Sequence, residues 1–357
     1  MNVFRPEAKI NHAVKVPLAA ILGAVSLLVS SWCPADTKDM TGEERAEIVE
    51  QELIGSIAPK LVLNTIGGQT INLAQLYGKQ AVYLKFWATW CVPCMQQMPH
   101  FEHTYQTAGP GLAVIAIDAG FNDSLENIQR VRRKFGLTMP IVMDDGTLGE
   151  ALHLRVTPQH IVIGLDGRIQ YVGHEADENL DAALLAAQTT KATPLPSPAA
   201  TTPISVSQYR VGDRLPDISA TTLDGQTFHS RGDGLGRPTV LVFMTPWCES
   251  YLEKSRPAAS KCCRQVREQI EAVAKDLDVR WLGVASALWA TNDDLKHYKV
   301  QYETTIPLMV DDSGLWFRTF RVMNVPTLII ADSKGQIVRR VEGFDGNLRS
   351  ELSHLSK

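Results

Sequence analysis

Two cysteines three residues apart, Cys91 and Cys94, close the segment FWATWCVPC, which follows an apolar run and precedes a helical pattern. Side chains at i and i+3 share a helix face and can join in a small disulfide without backbone movement. The spacing therefore predicts reversible dithiol–disulfide chemistry. At a helix N-terminus the unpaired N–H groups and the dipole favour the thiolate, the attacking species in exchange, so Cys91 is the expected nucleophile and Cys94 the resolving thiol. Pro93 is tolerated in a first turn because that turn needs no N–H from it. Trp90 is expected to shelter the pair while leaving Cys91 reachable. The other readings of such a pair are a structural bridge and a zinc half-site. Zinc needs two further ligands, and the nearby His100 and His103 fall on the same expected helix as the cysteines, so no metal site is assigned.

The segment resembles the active site of the TlpA/ResA type, extracytoplasmic relatives of thioredoxin, and the resemblance covers residues 56–188. It includes Pro99, where that family has a helix-kinking proline, and Thr157-Pro158 before an apolar strand, which matches the family's cis-proline loop. The resemblance implies a protein-disulfide oxidoreductase with no cofactor, in which Trp90, Thr157 and Pro158 face an extended substrate. Two positions depart from the pattern. Gln97 stands where ResA-like members have a buried glutamate, and Lys85 where thioredoxin has a buried aspartate. With neither carboxylate in place, the reduction potential is left open.

The elements that must hold these groups are legible from periodicity. AVYLKF, LAVIAID and PIVMD read as strands, and HIVIGLDGRIQYV as a hairpin turning at Asp166-Gly167. Helices are expected over residues 92–105, 125–135, 147–154 and 177–187. Strands alternating with helices predict an α/β fold with a mixed central sheet covered on both faces.

The chain then repeats itself. GGQT at 67–70 recurs as DGQT at 224–227, and Cys91 maps onto Cys248, an offset of 157 (248 − 91). Asp144-Asp145 recurs as Asp311-Asp312, and Thr157-Pro158 recurs as Val325-Pro326 with an offset of 168 (325 − 157). The repeat predicts two tandem thioredoxin-like domains, at 50–189 and 207–357. They are joined by a Pro/Ala/Thr-rich linker at 190–206 that leaves them free to reorient.

The second copy reads TPWCESY, so Tyr251 replaces the resolving cysteine, while Val325-Pro326 keeps the proline loop. A single helix would hold Cys248 and Cys262 about 21 Å apart. Ser255 and Arg256-Pro257 look like a cap and first turn, however, so residues 249–256 are expected as a loop. That loop would bring Cys248 within reach of Cys262 or Cys263, as a structural bridge or a second redox centre. Thr245 and Cys248 also have the spacing of a peroxidatic element, with Leu241 where that motif has proline.

Net charge is −4, from 35 Lys+Arg and 39 Asp+Glu, without a long basic run, which gives no footing for nucleic acid. Residues 17–32 carry no charge and follow Arg5, Lys9 and Lys15. Residues 1–35 are thus expected to be a secretory signal cleaved after Ala35, with an uncleaved anchor or acylation of Cys33 as rivals. Export, to a bacterial periplasm by this reading, places the thiols in an oxidising compartment. A reductase there needs an electron donor, and the resemblance implies a membrane protein of the DsbD/CcdA kind. The leading expectation is an exported reductase of disulfide-containing protein substrates. The alternatives are peroxidase-like activity in the second domain and a thiol-based copper chaperone using Met309 and Met323 as soft donors.

Overall fold

The computed structural model of the chain describes residues 40–189, 191, 207–231, 236–343 and 346–355. The expected export segment with Cys33 and nearly all of the expected linker lie outside the described residues.

The first half runs α1 (Gly42–Leu53), β1 (Val62–Asn64), β2 (Thr70–Asn72), α2 (Leu73–Leu76), β3 (Ala81–Trp87), α3 (Val92–Thr107) and β4 (Leu112–Asp118). It continues with α4 (Leu125–Phe135), β5 (Ile141–Met143), α5 (Thr147–Ala151), β6 (Gln159–Ile163), β7 (Ile169–Gly173) and α6 (Glu178–Thr189). Every residue of β3 is buried. The pleat explains this: Ala81, Tyr83 and Trp87 enter one apolar cluster and Val82, Leu84 and Phe86 the other, one on each face of the sheet. The sheet order is β5-β4-β3-β6-β7, with β3, β4 and β5 parallel and β6 and β7 antiparallel to their neighbours.

Local signals set the helix ends. The Ser124 hydroxyl accepts from the Asn127 N–H at 3.2 Å to start α4, and Gly136, at φ 63°, ends it. Helix α1 crosses residue 50, where sequence reading began the first domain. A capping box between Thr41 and Glu44 starts it, and its buried Ala46, Val49 and Leu53 pack the helix against the body of the domain.

The second half comprises β8 (Ser219–Thr221), β9 (Thr227–His229), β10 (Thr239–Met244), α7 (Cys248–Ser255), α8 (Pro257–Val273) and β11 (Arg280–Ser286). It closes with α9 (Asn292–Gln301), β12 (Leu308–Asp311), α10 (Leu315–Thr319), β13 (Thr327–Ala331), β14 (Ile337–Glu342) and α11 (Leu348–Ser353). Its sheet order, β12-β11-β10-β13-β14, reproduces the first with the same strand senses. The duplicated aspartates also do the same work twice. Asp144 accepts from the Leu148 and Gly149 N–H groups and Asp311 from that of Phe317, each at the start of a short helix, and burial pushes both carboxyls up to about 6.

One expectation is corrected here. Residues 249–256 are not a loop: α7 is helical to Ser255, and the chain breaks at Arg256 before Pro257 opens α8. Where the first half has α3 alone, the second has this pair of helices, and the break turns α8 back so that Cys263 comes within 6.3 Å of Cys248, Cα to Cα.

The two halves are not separate beads. One continuous apolar cluster contains Trp90, Cys91 and Phe121 from the first half and Cys248, Leu288, Phe317 and Val325 from the second.

Candidate active site

Strand β3 ends at Trp87 and a tight turn delivers Cys91 to the N-cap of α3. Cys91 and Cys94 are joined in a disulfide with their Cα atoms 5.2 Å apart. The Cys94 N–H donates to Cys91 Sγ at 3.1 Å. That donor and the helix terminus would stabilise a thiolate at Cys91 once the bridge opens. Across the cleft, Cys91 Sγ lies 3.3 Å from the Thr157 carbonyl oxygen, beside the cis peptide bond to Pro158; Val325-Pro326 is also cis.

Beneath the disulfide, the two positions that departed from the family pattern meet. Lys85 Nζ donates to Gln97 Oε1 at 3.0 Å, and His160 Nε2 lies 3.0 Å from the same oxygen. Burial lowers the Lys85 ammonium to about 7 and, with the Lys85 charge second, pulls His160 well below its usual range. His160 is therefore neutral: its Nε2–H donates to Gln97, and Nδ1 accepts from the Tyr83 hydroxyl at 2.8 Å, whose own proton is held by burial. Gln97 Nε2 donates to the His174 carbonyl at 3.1 Å, and His174 Nδ1–H donates to the Pro158 carbonyl at 2.7 Å. A partly buried hydrogen-bonded chain thus runs from Lys85 through Gln97 to the proline loop.

Above the disulfide sits the second domain. Trp247 packs on Trp90 with ring centroids 4.9 Å apart, and the Tyr251 hydroxyl accepts from the Val92 N–H at 3.1 Å. The Trp289 N–H donates to the Arg155 carbonyl at 2.8 Å and its Nε1–H to the Thr157 hydroxyl at 3.3 Å. In the opposite sense, the Asn122 N–H donates to the Met323 carbonyl at 2.7 Å and Asn122 Oδ1 accepts from the Val325 N–H at 2.7 Å. Gly120 permits this approach, since at φ +66° a Cβ would meet the Asp144 carbonyl at 2.1 Å and the Met323 methyl at 2.9 Å. Arg256 reaches the Asn122 carbonyl, the Thr89 hydroxyl and the fully buried Asp123 carboxylate. Cys91 is 1% exposed, so the expectation that Trp90 leaves it reachable is corrected, and aromatic residues of the second domain pack on the neighbouring Trp90–Val92 turn.

Residues 54–172 match the AhpC/TSA family model. A thiol-disulfide oxidoreductase ResA of Halalkalibacterium halodurans is 38% identical over 117 residues, 32% of this chain and 65% of that relative's length, just under two thirds. The ResA of Bacillus thuringiensis strain Al Hakam is 32% identical over 136 residues, 37% of this chain and 77% of its own. The chain belongs to the ResA family of thiol-disulfide oxidoreductases. A solved thiol:disulfide interchange protein of the thioredoxin family from Chlorobium tepidum is 25% identical over 37% of this chain and 95% of its own, with a TM-score of 0.33.

Within this ResA-family chain the structure brings Trp90, Cys91, Cys94, Thr157 and Pro158 together at one cleft. Among the second-domain thiols it pairs Cys248 with Cys263 and leaves Cys262 free and partly buried beside Gly343. The Val325 N–H meets Asn122 at the interface while Pro326 lines the same cavity as Cys263, Met309 is in the core on β12, and Met323 contacts the first domain. Sequence reasoning missed Asn122, Trp247, Arg256 and Trp289. Asn122 and Trp289 are equivalent positions of the repeat (289 − 122 = 167) with left-handed backbones, at φ 51° and 57°, but their residue types differ, so the repeat did not mark them.

Proposed function

We propose that the chain is an exported protein-disulfide reductase working through Cys91 and Cys94. The observation that carries the reading is the bridged pair at the N-terminus of α3, with Cys91 Sγ held between the Cys94 N–H and the Thr157 carbonyl. In the reduced protein, the Cys91 thiolate attacks one sulfur of a substrate disulfide, forming a mixed disulfide and expelling the other sulfur as a thiolate. Cys94 then attacks Cys91 Sγ, the substrate leaves as its second thiolate, and the Cys91–Cys94 bridge forms. Two electrons pass to the substrate, and the two protons of the protein dithiol end on the released thiols.

Regeneration falls to a membrane electron donor of the DsbD/CcdA kind, in keeping with an uncharged N-terminal segment and an oxidising compartment. Among the described residues no helix is long and apolar enough to cross a membrane. Insulin reduction by the full chain tests the reading. Turnover should vanish in Cys91→Ser, and Cys94→Ser should accumulate a mixed disulfide at Cys91; equal turnover in Cys91→Ser rejects it.

A further inference from the structure

The face that an incoming disulfide must reach is already occupied. Trp247 and Tyr251 stand over the Trp90–Val92 turn, and Trp289 holds both the Arg155 carbonyl and the Thr157 hydroxyl of the proline loop. Exchange requires a third sulfur to approach Cys91 Sγ along the disulfide axis. With Cys91 1% exposed, no protein sulfur can do so while the cover stays in place.

The cover is a docked surface with its own symmetry. Trp289 donates to Arg155 as Asn122 donates to Met323, and Arg155 and Met323 are equivalent by the offset of the proline loops (323 − 155 = 168). Each half therefore offers its proline loop to the other about a pseudo-two-fold axis, the arrangement of an isologous contact. Aromatic rings fill the centre. Around them lie charged ties, namely Arg256 to Asp123, Arg318 to Glu150, Arg45 to Asp294 at 2.8 Å and Arg155 to Asp312 at 3.8 Å. An apolar centre with a polar rim is the anatomy of a protein–protein interface, and interfaces between domains of one chain commonly resemble transient ones.

We propose that the second domain is a reversible internal occupant of the first domain's substrate face, with Trp289 and Trp247 holding the place that a substrate must take. This rests on the catalytic reading given under the previous heading and adds its control: the competent state is one in which the domains have parted. The partner that fits the vacated face is a protein segment whose backbone N–H can replace that of Trp289 on Arg155 and whose apolar side chain can replace its ring.

The test is the alkylation rate of Cys91 in the reduced full chain, followed by peptide mass spectrometry, in wild type, Trp289→Ala and Arg256→Met. Cys262, free and partly buried beside Gly343, serves as internal reference. A site that is open part of the time reacts in proportion to its open fraction, so each variant should label Cys91 at least about tenfold faster with Cys262 unchanged. Rates at Cys91 equal to wild type in both variants would overturn the proposal. If a variant accelerates both cysteines it has unfolded, and the decision passes to the wild type: hydrogen exchange at the Trp289 and Asn122 amides should quicken in a mixed disulfide of the Cys94→Ser protein. Full protection there would also overturn the proposal. Labelling needs no turnover, so loss of insulin reduction with these rates intact would count against the catalytic reading alone.

Discussion

Lys85 offers a stability measurement whose size follows from where its ammonium lies. Nζ is buried beneath α3, donating to Gln97 and 5.2 Å from the Phe101 ring centroid, and burial lowers its pKa from 10.5 to about 7. A depressed pKa on a base means that the unfolded chain binds the proton more tightly than the folded one. The folded state is therefore penalised while the group is charged, and the penalty fades as pH climbs from about 7 toward 10.5. At about 1.4 kcal/mol per tenfold change in protonation, the penalty is about 5 kcal/mol at pH 6 and about 2 kcal/mol at pH 9. Lys85→Met removes the charge and keeps an unbranched apolar stem, while Gln97 Oε1 retains His160 as a donor. Urea unfolding of the oxidised protein should thus show the variant more stable at pH 6, with about 2–3 kcal/mol of that advantage gone at pH 9. Using the difference between the proteins cancels the titrating groups that do not feel the Lys85 charge, which His160 does. An advantage that does not change between the two pH values would refute the argument that Lys85 is charged and desolvated in the fold.

Asp311 makes the mirror-image case. Its carboxyl is raised from 3.8 to about 6, so the folded state holds a proton that the unfolded chain has lost, and stability falls as pH rises through that window. Relative to Asp311→Asn, which can still accept from the Phe317 N–H, wild type should lose about 2 kcal/mol between pH 4 and pH 6, measured by urea midpoints. The second disulfide gives a sequence-specific check: Cys263→Ser should destabilise the second domain by about 3 kcal/mol and Cys262→Ser by much less, read from thermal unfolding of the oxidised chain.

The dithiol, the proline loop and the duplication could be read from the chain because each is local. Cys91 and Cys94 need only a helix N-terminus between them and the strand before it, and α4 announced both its ends through Ser124 and Gly136. Helix α1 escaped notice because half of GEERAEIVEQEL is charged, and its three buried apolar residues make a weak stripe. Helix α7 escaped because eight residues between a degenerate motif and a proline give too little periodicity to separate helix from loop. The choice of Cys263 over Cys262 depended on how α8 turns back after Arg256, a tertiary fact. The docking of the domains was the least legible feature. Trp247, Trp289 and Asn122 lie in turns, where no repeat of polarity marks a buried face, and their partners are more than a hundred residues away.

Because both sides of that contact belong to a single backbone, its equilibrium contains no concentration term. Dilution, which dissociates a dimer, leaves the balance between covered and uncovered Cys91 untouched, since the tethered partner keeps the same effective concentration in a dense compartment and in a dilute assay. Only a ligand that distinguishes the two arrangements can move the balance, and its apparent affinity is weakened by the fraction of molecules that are closed.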